Sequence, residues 1–182
     1  AYIFALSGGS WSQEAKIQSS DIQGSDYFGR TVSMSGDGTK VIVGANGEDT
    51  GGSTAGAAYI FALSGGSWSQ QQKIQASDAQ TSDLFGYGVS MSSDGTKVLV
   101  GARNEDTGAS NAGSAYIFAL SGGSWSQEAK IQASDPEATD YFGIYVSMSG
   151  DGTKVIVGAS SEDTGGAGAG AAYIFALSGG SW

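Results

Sequence analysis

The segment Ala-Tyr-Ile-Phe-Ala-Leu-Ser-Gly-Gly-Ser-Trp begins at residues 1, 58, 115 and 172, so the chain is a tandem repeat with a period of 57 residues. Three periods fill 1–171, and residues 172–182 repeat 1–11. The copies differ mostly by single substitutions, so each must fold as the same local unit and meet its neighbours in the same way.

Within one period, apolar residues alternate at period two in four stretches, each bounded by a glycine-rich or Asp-Gly turn. In Ala1–Leu6 both alternating sets are apolar, which predicts an interior strand between two layers. In Trp11–Gln18 one set is Trp11, Ala15 and Ile17 and the other is Ser12, Glu14, Lys16 and Gln18, the pattern of an edge strand with one wet face. Phe28–Ser35 is expected to bury Val32 and Met34, and Lys40–Ala45 carries the β-branched run Val41-Ile42-Val43. Between these two, Gly36-Asp37-Gly38 predicts a tight hairpin. The 31 glycines against one proline, Pro136, fit many short strands and no helix.

The apolar side chains of one unit are too few to offset the entropy of ordering its backbone. Stability must then come from stacking the sheets of successive units face to face. Four strands per unit favour a β-propeller over the alternative, a β-solenoid, whose coils are shorter.

Tyr27-Phe28-Gly29, Val32–Gly38, Val41–Ala45 and Gly56–Phe61, with Phe85-Gly86 and Phe142-Gly143 in the later copies, resemble the FG-GAP repeat of integrin α-subunit propellers and its bacterial and algal variants. The resemblance implies an all-β fold of four-stranded antiparallel propeller blades with the Phe-Gly strand innermost. It divides the chain into outer strands of a blade (1–25), two blades (26–82 and 83–139) and a partial blade (140–182). A closed ring of three blades is too small, so the ring is expected to be completed between chains, as six blades in a dimer or nine in a trimer, or within a longer array. The repeated AYIFAL strand is one more than each chain needs, and an unpaired edge invites pairing with another copy.

Calcium-binding members of that family carry several carboxylates in the loop between the first two strands, because Ca²⁺ takes six to eight oxygen ligands. Here Ser35–Lys40 offers one carboxylate and a lysine, so no calcium site is carried over and no cofactor is expected. Glu48-Asp49, Glu105-Asp106 and Glu162-Asp163 are weighed as weak cation ligands against solvated acidic turns, and the turn reading is preferred.

A net charge of −10 disfavours nucleic acid and anionic membrane surfaces, and no apolar run is long enough to insert in a bilayer. Histidine and cysteine are absent, which removes the usual general base, the thiolate nucleophile and the commonest metal ligand. The remaining candidates fall at the same place in every copy, which argues against an active site. Asp21 and Asp26 are read as turn or capping residues rather than a glycosidase pair, and Ser7–Ser10 and Gly51-Gly52 as turns rather than phosphate loops. The repeated tryptophans are read as packing between blades.

The copies differ chiefly at 22–25, 30–31, 46–47 and 52–54 and their counterparts, which an up-and-down blade gathers at one end. Arg30, Tyr87, Arg103, Asn104, Glu137 and Tyr145 are therefore the candidate partner-binding rim. The expected function is a non-enzymatic structural or adhesion module, extracellular or on the cell surface, that self-assembles. The alternatives are a propeller binding an extracellular protein or glycan, and an engineered or consensus repeat.

Overall fold

The computed structural model describes residues 1–182. It contains thirteen strands and no helix: β1 (Tyr2–Ser7), β2 (Ser10–Lys16), β3 (Val32–Met34), β4 (Lys40–Ala45), β5 (Ala57–Ser64), β6 (Ser67–Ile74), β7 (Phe85–Met91), β8 (Lys97–Ala102), β9 (Ser114–Ser121), β10 (Ser124–Ile131), β11 (Phe142–Met148), β12 (Lys154–Ala159) and β13 (Ala171–Ala176). These form four antiparallel sheets: the pair β1-β2, the blades β3-β4-β5-β6 and β7-β8-β9-β10, and the three-stranded β11-β12-β13.

The hairpin between β3 and β4 is closed by side chains as well as by glycine. The Ser35 hydroxyl donates to Asp37 Oδ1 at 2.6 Å, the Thr39 amide donates to the same oxygen at 3.0 Å, and Gly38 takes φ 71°. Those donors hold the Asp37 carboxyl down at about 2.

Each core lies between two sheets. Ile42, Ile60 and Ile74 of one blade meet Val98, Val100, Tyr116, Phe118 and Trp125 of the next. Leu99, Ile117 and Ile131 meet Phe142, Val155, Val157, Tyr173, Phe175 and Trp182 in the same way. Ile3 and Ile17 of the half-blade pack on Val41, Val43, Tyr59 and Phe61. Within each unit the Phe of the Phe-Gly pair sits edge-on to the Tyr and the Phe of the AYIFAL strand, at 5.5–6.1 Å. Trp68, Trp125 and Trp182 pack between sheets as expected, with Trp125 6% exposed and the Trp68 indole donating to Glu14 of the preceding sheet at 2.7 Å, whereas Trp11, with no sheet before it, is 70% exposed.

Closely similar sequence does not give the same structure where no complete blade precedes. β7 and β11 start at their phenylalanines, where Phe85 and Phe142 bridge to Gly56 and Gly113 of the preceding blade. Phe28 has no complete blade before it, so the strand expected over Phe28–Ser35 is shortened to Val32–Met34, and Val32 and Met34 are exposed rather than buried. For the same reason β1 is not the interior strand its two apolar faces predict. It has one neighbour, and Tyr2, Phe4 and Leu6 are exposed, while the equivalent β5 and β9 are covered on both sides.

The closest approach of two blades is between backbones. A Cβ added to Gly101 would lie 1.9 Å from the carbonyl oxygen of Gly143, and one on Gly44 would lie 2.1 Å from that of Gly86. Gly158, the same position in the last sheet, has nothing closer than 3.8 Å. In dilute chain, Gly101→Ala is therefore expected to cost about 3 kcal/mol or more, whereas Gly158→Ala leaves the urea midpoint nearly unchanged. Equal midpoints for the two variants would contradict this packing.

Candidate functional site

The innermost strands converge on an axial funnel of about 650 Å³ lined by residues 30–32, 87–89 and 144–146. Arg30, Tyr87 and Tyr145 of the candidate rim are among its lining residues. The guanidinium of Arg30 lies 4.1 Å from the Tyr87 ring centroid and donates to the Tyr87 hydroxyl at 2.6 Å. Arg103 lies 4.2 Å from the same ring and 5.3 Å from that of Tyr141. Two cations against one ring make Tyr87 the centre of this cluster. Asn104 and Glu137 do not line the pocket: the Asn104 backbone amide donates to the Asp83 carbonyl, and the Glu137 backbone amide donates to the Asp140 carboxylate.

Sequence reasoning missed a second cluster that recurs along the array. Lys73 pairs with Asp21 and with Glu48, each at 2.8 Å, and Tyr59 donates its hydroxyl to Asp21 at 2.8 Å. One period on, Lys130 pairs with Asp78 at 2.7 Å and Glu105 at 2.9 Å, Tyr116 donates to Asp78, and the Ser114 hydroxyl donates to Glu105 at 2.6 Å. The glutamates expected to sit in solvated turns are buried, Glu105 to 1% exposure. Only the following aspartates behave as turn acids: Asp49 is exposed and accepts from the Thr54 amide at 2.7 Å. Burial alone would raise the Glu105 carboxyl, but hydrogen bonds from Ser114, Thr107 and Lys130 outweigh it and hold the pKa below its ordinary value. The signal in the sequence was the constant offset of Asp, Glu, Tyr and Lys in each period, beside loops that vary.

The third copy of this cluster is incomplete. Tyr173 donates to Asp135 at 2.8 Å and the Thr164 amide to Glu162 at 2.8 Å, but no lysine reaches either acid. Conversely Lys16, the first of the lysines, has no acidic partner.

The two ends of the array also leave unlike surfaces open. At one end Tyr2, Phe4, Leu6 and Trp11 are exposed, and an apolar groove of about 290 Å³ runs between residues 1–3 and the start of the first complete blade. At the other end Ile156 and Ile174 are 43% and 73% exposed.

The FG-GAP repeat matches residues 11–61, 68–118 and 125–175. The chain belongs to the FG-GAP repeat family. No curated protein matches the sequence. Among solved structures, these FG-GAP repeats are similar to a periplasmic gluconolactonase of Pseudomonas aeruginosa (TM-score 0.53, 16% identity, 89% of this chain and 44% of that one). They are also similar to TolB of Acinetobacter baumannii (TM-score 0.50, 16% identity, 96% of this chain and 34% of that one). The likeness is one of fold, that of β-propeller blades, and the chain spans less than half the length of either protein.

Two outcomes follow from the buried cluster. Lys130→Met leaves Glu105 unpaired in the interior and is expected to lower stability by about 3–5 kcal/mol, read from the urea midpoint. Asp83 is the opposite case: burial, reinforced by the charges of Glu105, Asp78 and Asp106, pushes its carboxyl up to about 6 from 3.8 against the Gln80 amide that lowers it. The folded protein then holds this proton more tightly than the unfolded chain, so the Asp83 contribution falls as pH rises from 3.8 to about 6 and stays lost above. Asp83→Asn should flatten that part of the thermal-midpoint profile between about pH 4 and about pH 7; an unchanged slope would contradict the assignment.

Proposed function

We propose that this FG-GAP array is a non-enzymatic structural or adhesion module, working outside the cytoplasm, that self-assembles through blade stacking and strand exchange. The observation that carries the reading is the apolar face that each blade presents to the next. Trp125 is 6% exposed between two sheets where Trp11, with no sheet before it, is 70% exposed, so a blade face is completed only by another unit, a second copy or a further repeat. The acid–base groups support a structural role as well, since the buried glutamates, the tyrosine hydroxyls and Lys73 and Lys130 are each committed to bonds that tie strands and loops together. A position outside the cytoplasm fits the periplasmic enzyme among the similar folds, and no helix is long and apolar enough to cross a membrane.

A ring shared between chains is part of the same reading. Sedimentation of the purified protein at micromolar concentration should give a closed species of two or three copies. A compact monomer of 18.3 kDa at every concentration would rule it out.

A second reading, binding of an extracellular protein at the axial mouth, is favoured by the Arg30–Tyr87–Arg103 cluster. A glycan-binding propeller would instead repeat its aromatic and polar groups from blade to blade, and residues 30, 87 and 144 are Arg, Tyr and Ile.

A further inference from the structure

The chain has two arginines, and both lie against one tyrosine ring. We propose that Arg30, Tyr87 and Arg103 form a carboxylate site, and that the funnel takes an aspartate or glutamate side chain of a protein partner. This names the ligand chemistry of the protein-binding mouth given above as the second reading and rests on that reading.

The repeat itself does not supply the site. The counterparts of Arg30 are Tyr87 and Ile144, and those of Arg103 are Asn46 and Ser160, so each arginine is a departure made in one copy alone. Arg30 precedes β3 and Arg103 follows β8 in the neighbouring blade, yet the two departures converge, with guanidinium carbons 4.1 and 4.2 Å from the Tyr87 ring centroid. Those distances place the two carbons no more than about 8 Å apart. That span is short enough for one carboxylate to accept from both guanidinium forks, at N···O distances of about 2.8 Å.

The second observation is that these cations are free. Lys73, Lys97 and Lys130 are all in ion pairs, but neither arginine is, although the chain carries 18 acidic residues. The acids that follow Arg103 in sequence are engaged elsewhere: Glu105 by Lys130 and the Ser114 hydroxyl, Asp106 by the Asn111 amide. Nε of Arg103 is buried with no hydrogen-bond partner, so stacking on Tyr87 and Tyr141 holds this side chain in place and leaves its charge unanswered.

The walls favour a side chain over a free ion. Val32, Val89 and Val146 line the funnel beside the cations, and its volume of about 650 Å³ has room for an acidic residue with apolar neighbours in sequence. A sulfate or phosphate ion would leave those valines uncovered. The net charge of −10 repels a polyacidic partner at long range, so the site suits one acid set in an otherwise neutral segment.

The test follows the two arginine Nε–H signals and the backbone amides of residues 144–146 in proton–nitrogen correlation spectra of the full chain. The probes are the blocked pentapeptide acetyl-AVDVA-amide and its neutral counterpart acetyl-AVNVA-amide. The acidic peptide should shift both arginine signals and those amides, and bind about tenfold or more tightly than the neutral one. Arg103→Gln and Arg30→Gln should each bring the two peptides close to equal affinity; Arg30 is exposed, so its variant decides the matter if Arg103→Gln disturbs the fold. Lys154→Gln, the same loss of charge at an exposed lysine outside the funnel, should change nothing. Equal binding of the two peptides by the unmodified chain overturns the carboxylate site and leaves the protein-binding mouth standing. Shifts reproduced by sodium sulfate at the same concentration assign a general anion site and overturn the acidic side chain as its ligand. If neither peptide moves any of these signals, both the site and the protein-binding mouth are overturned.

Discussion

Neighbouring blades touch backbone to backbone, and the arrangement of the repeat follows from that contact. Where Gly101 faces the carbonyl of Gly143 there is no space for a side chain, so the Val-Gly-Ala strand of one unit and the Phe-Gly strand of the next must both present glycine. That approach sets the distance at which the isoleucine face of one sheet meets the aromatic face of the following one. It also makes one blade a template for the next: the parallel bridge from Gly56 to Phe85 fixes where β7 begins, and Gly113 does the same for β11.

The buried ion clusters act at a different level. Hydrophobic stacking alone would tolerate some sliding of one sheet over another, but a lysine that must reach a buried glutamate and an aspartate from the loop leading into the blade accepts one geometry only. In a chain with a net charge of −10 and only eight lysines and arginines, placing Lys73 and Lys130 in this way also relieves repulsion among the acids that crowd the same end of the blades.

The strands, the Asp-Gly hairpin and the interblade tryptophans were legible in the sequence because each is a local pattern: alternation, a turn dipeptide, or a residue at a fixed place in the period. What escaped was set by distant partners. Glu48 sits in Asn-Gly-Glu-Asp-Thr-Gly, which has the composition of a wet turn, and only Lys73, 25 residues on, makes its burial tolerable. The funnel was half visible. Divergence between copies pointed to Arg30, Tyr87, Arg103 and Tyr145, but nothing local says that two guanidinium groups lie against one tyrosine ring while Glu137 stands apart. The fraying of Phe28–Thr31 escaped for a simpler reason: the Phe-Gly pair is the same as in Phe85–Gly88, and Phe28 lacks the bridge that Phe85 makes to a glycine of the preceding blade.

That difference between β3, three residues long, and the seven-residue β7 and β11 sets how the molecule holds together over time. Order in such an array is inherited from the side that already has a neighbour: the seven-residue β7 and β11 begin at a bridge to the blade before them, and β3, without one, keeps three residues of its strand.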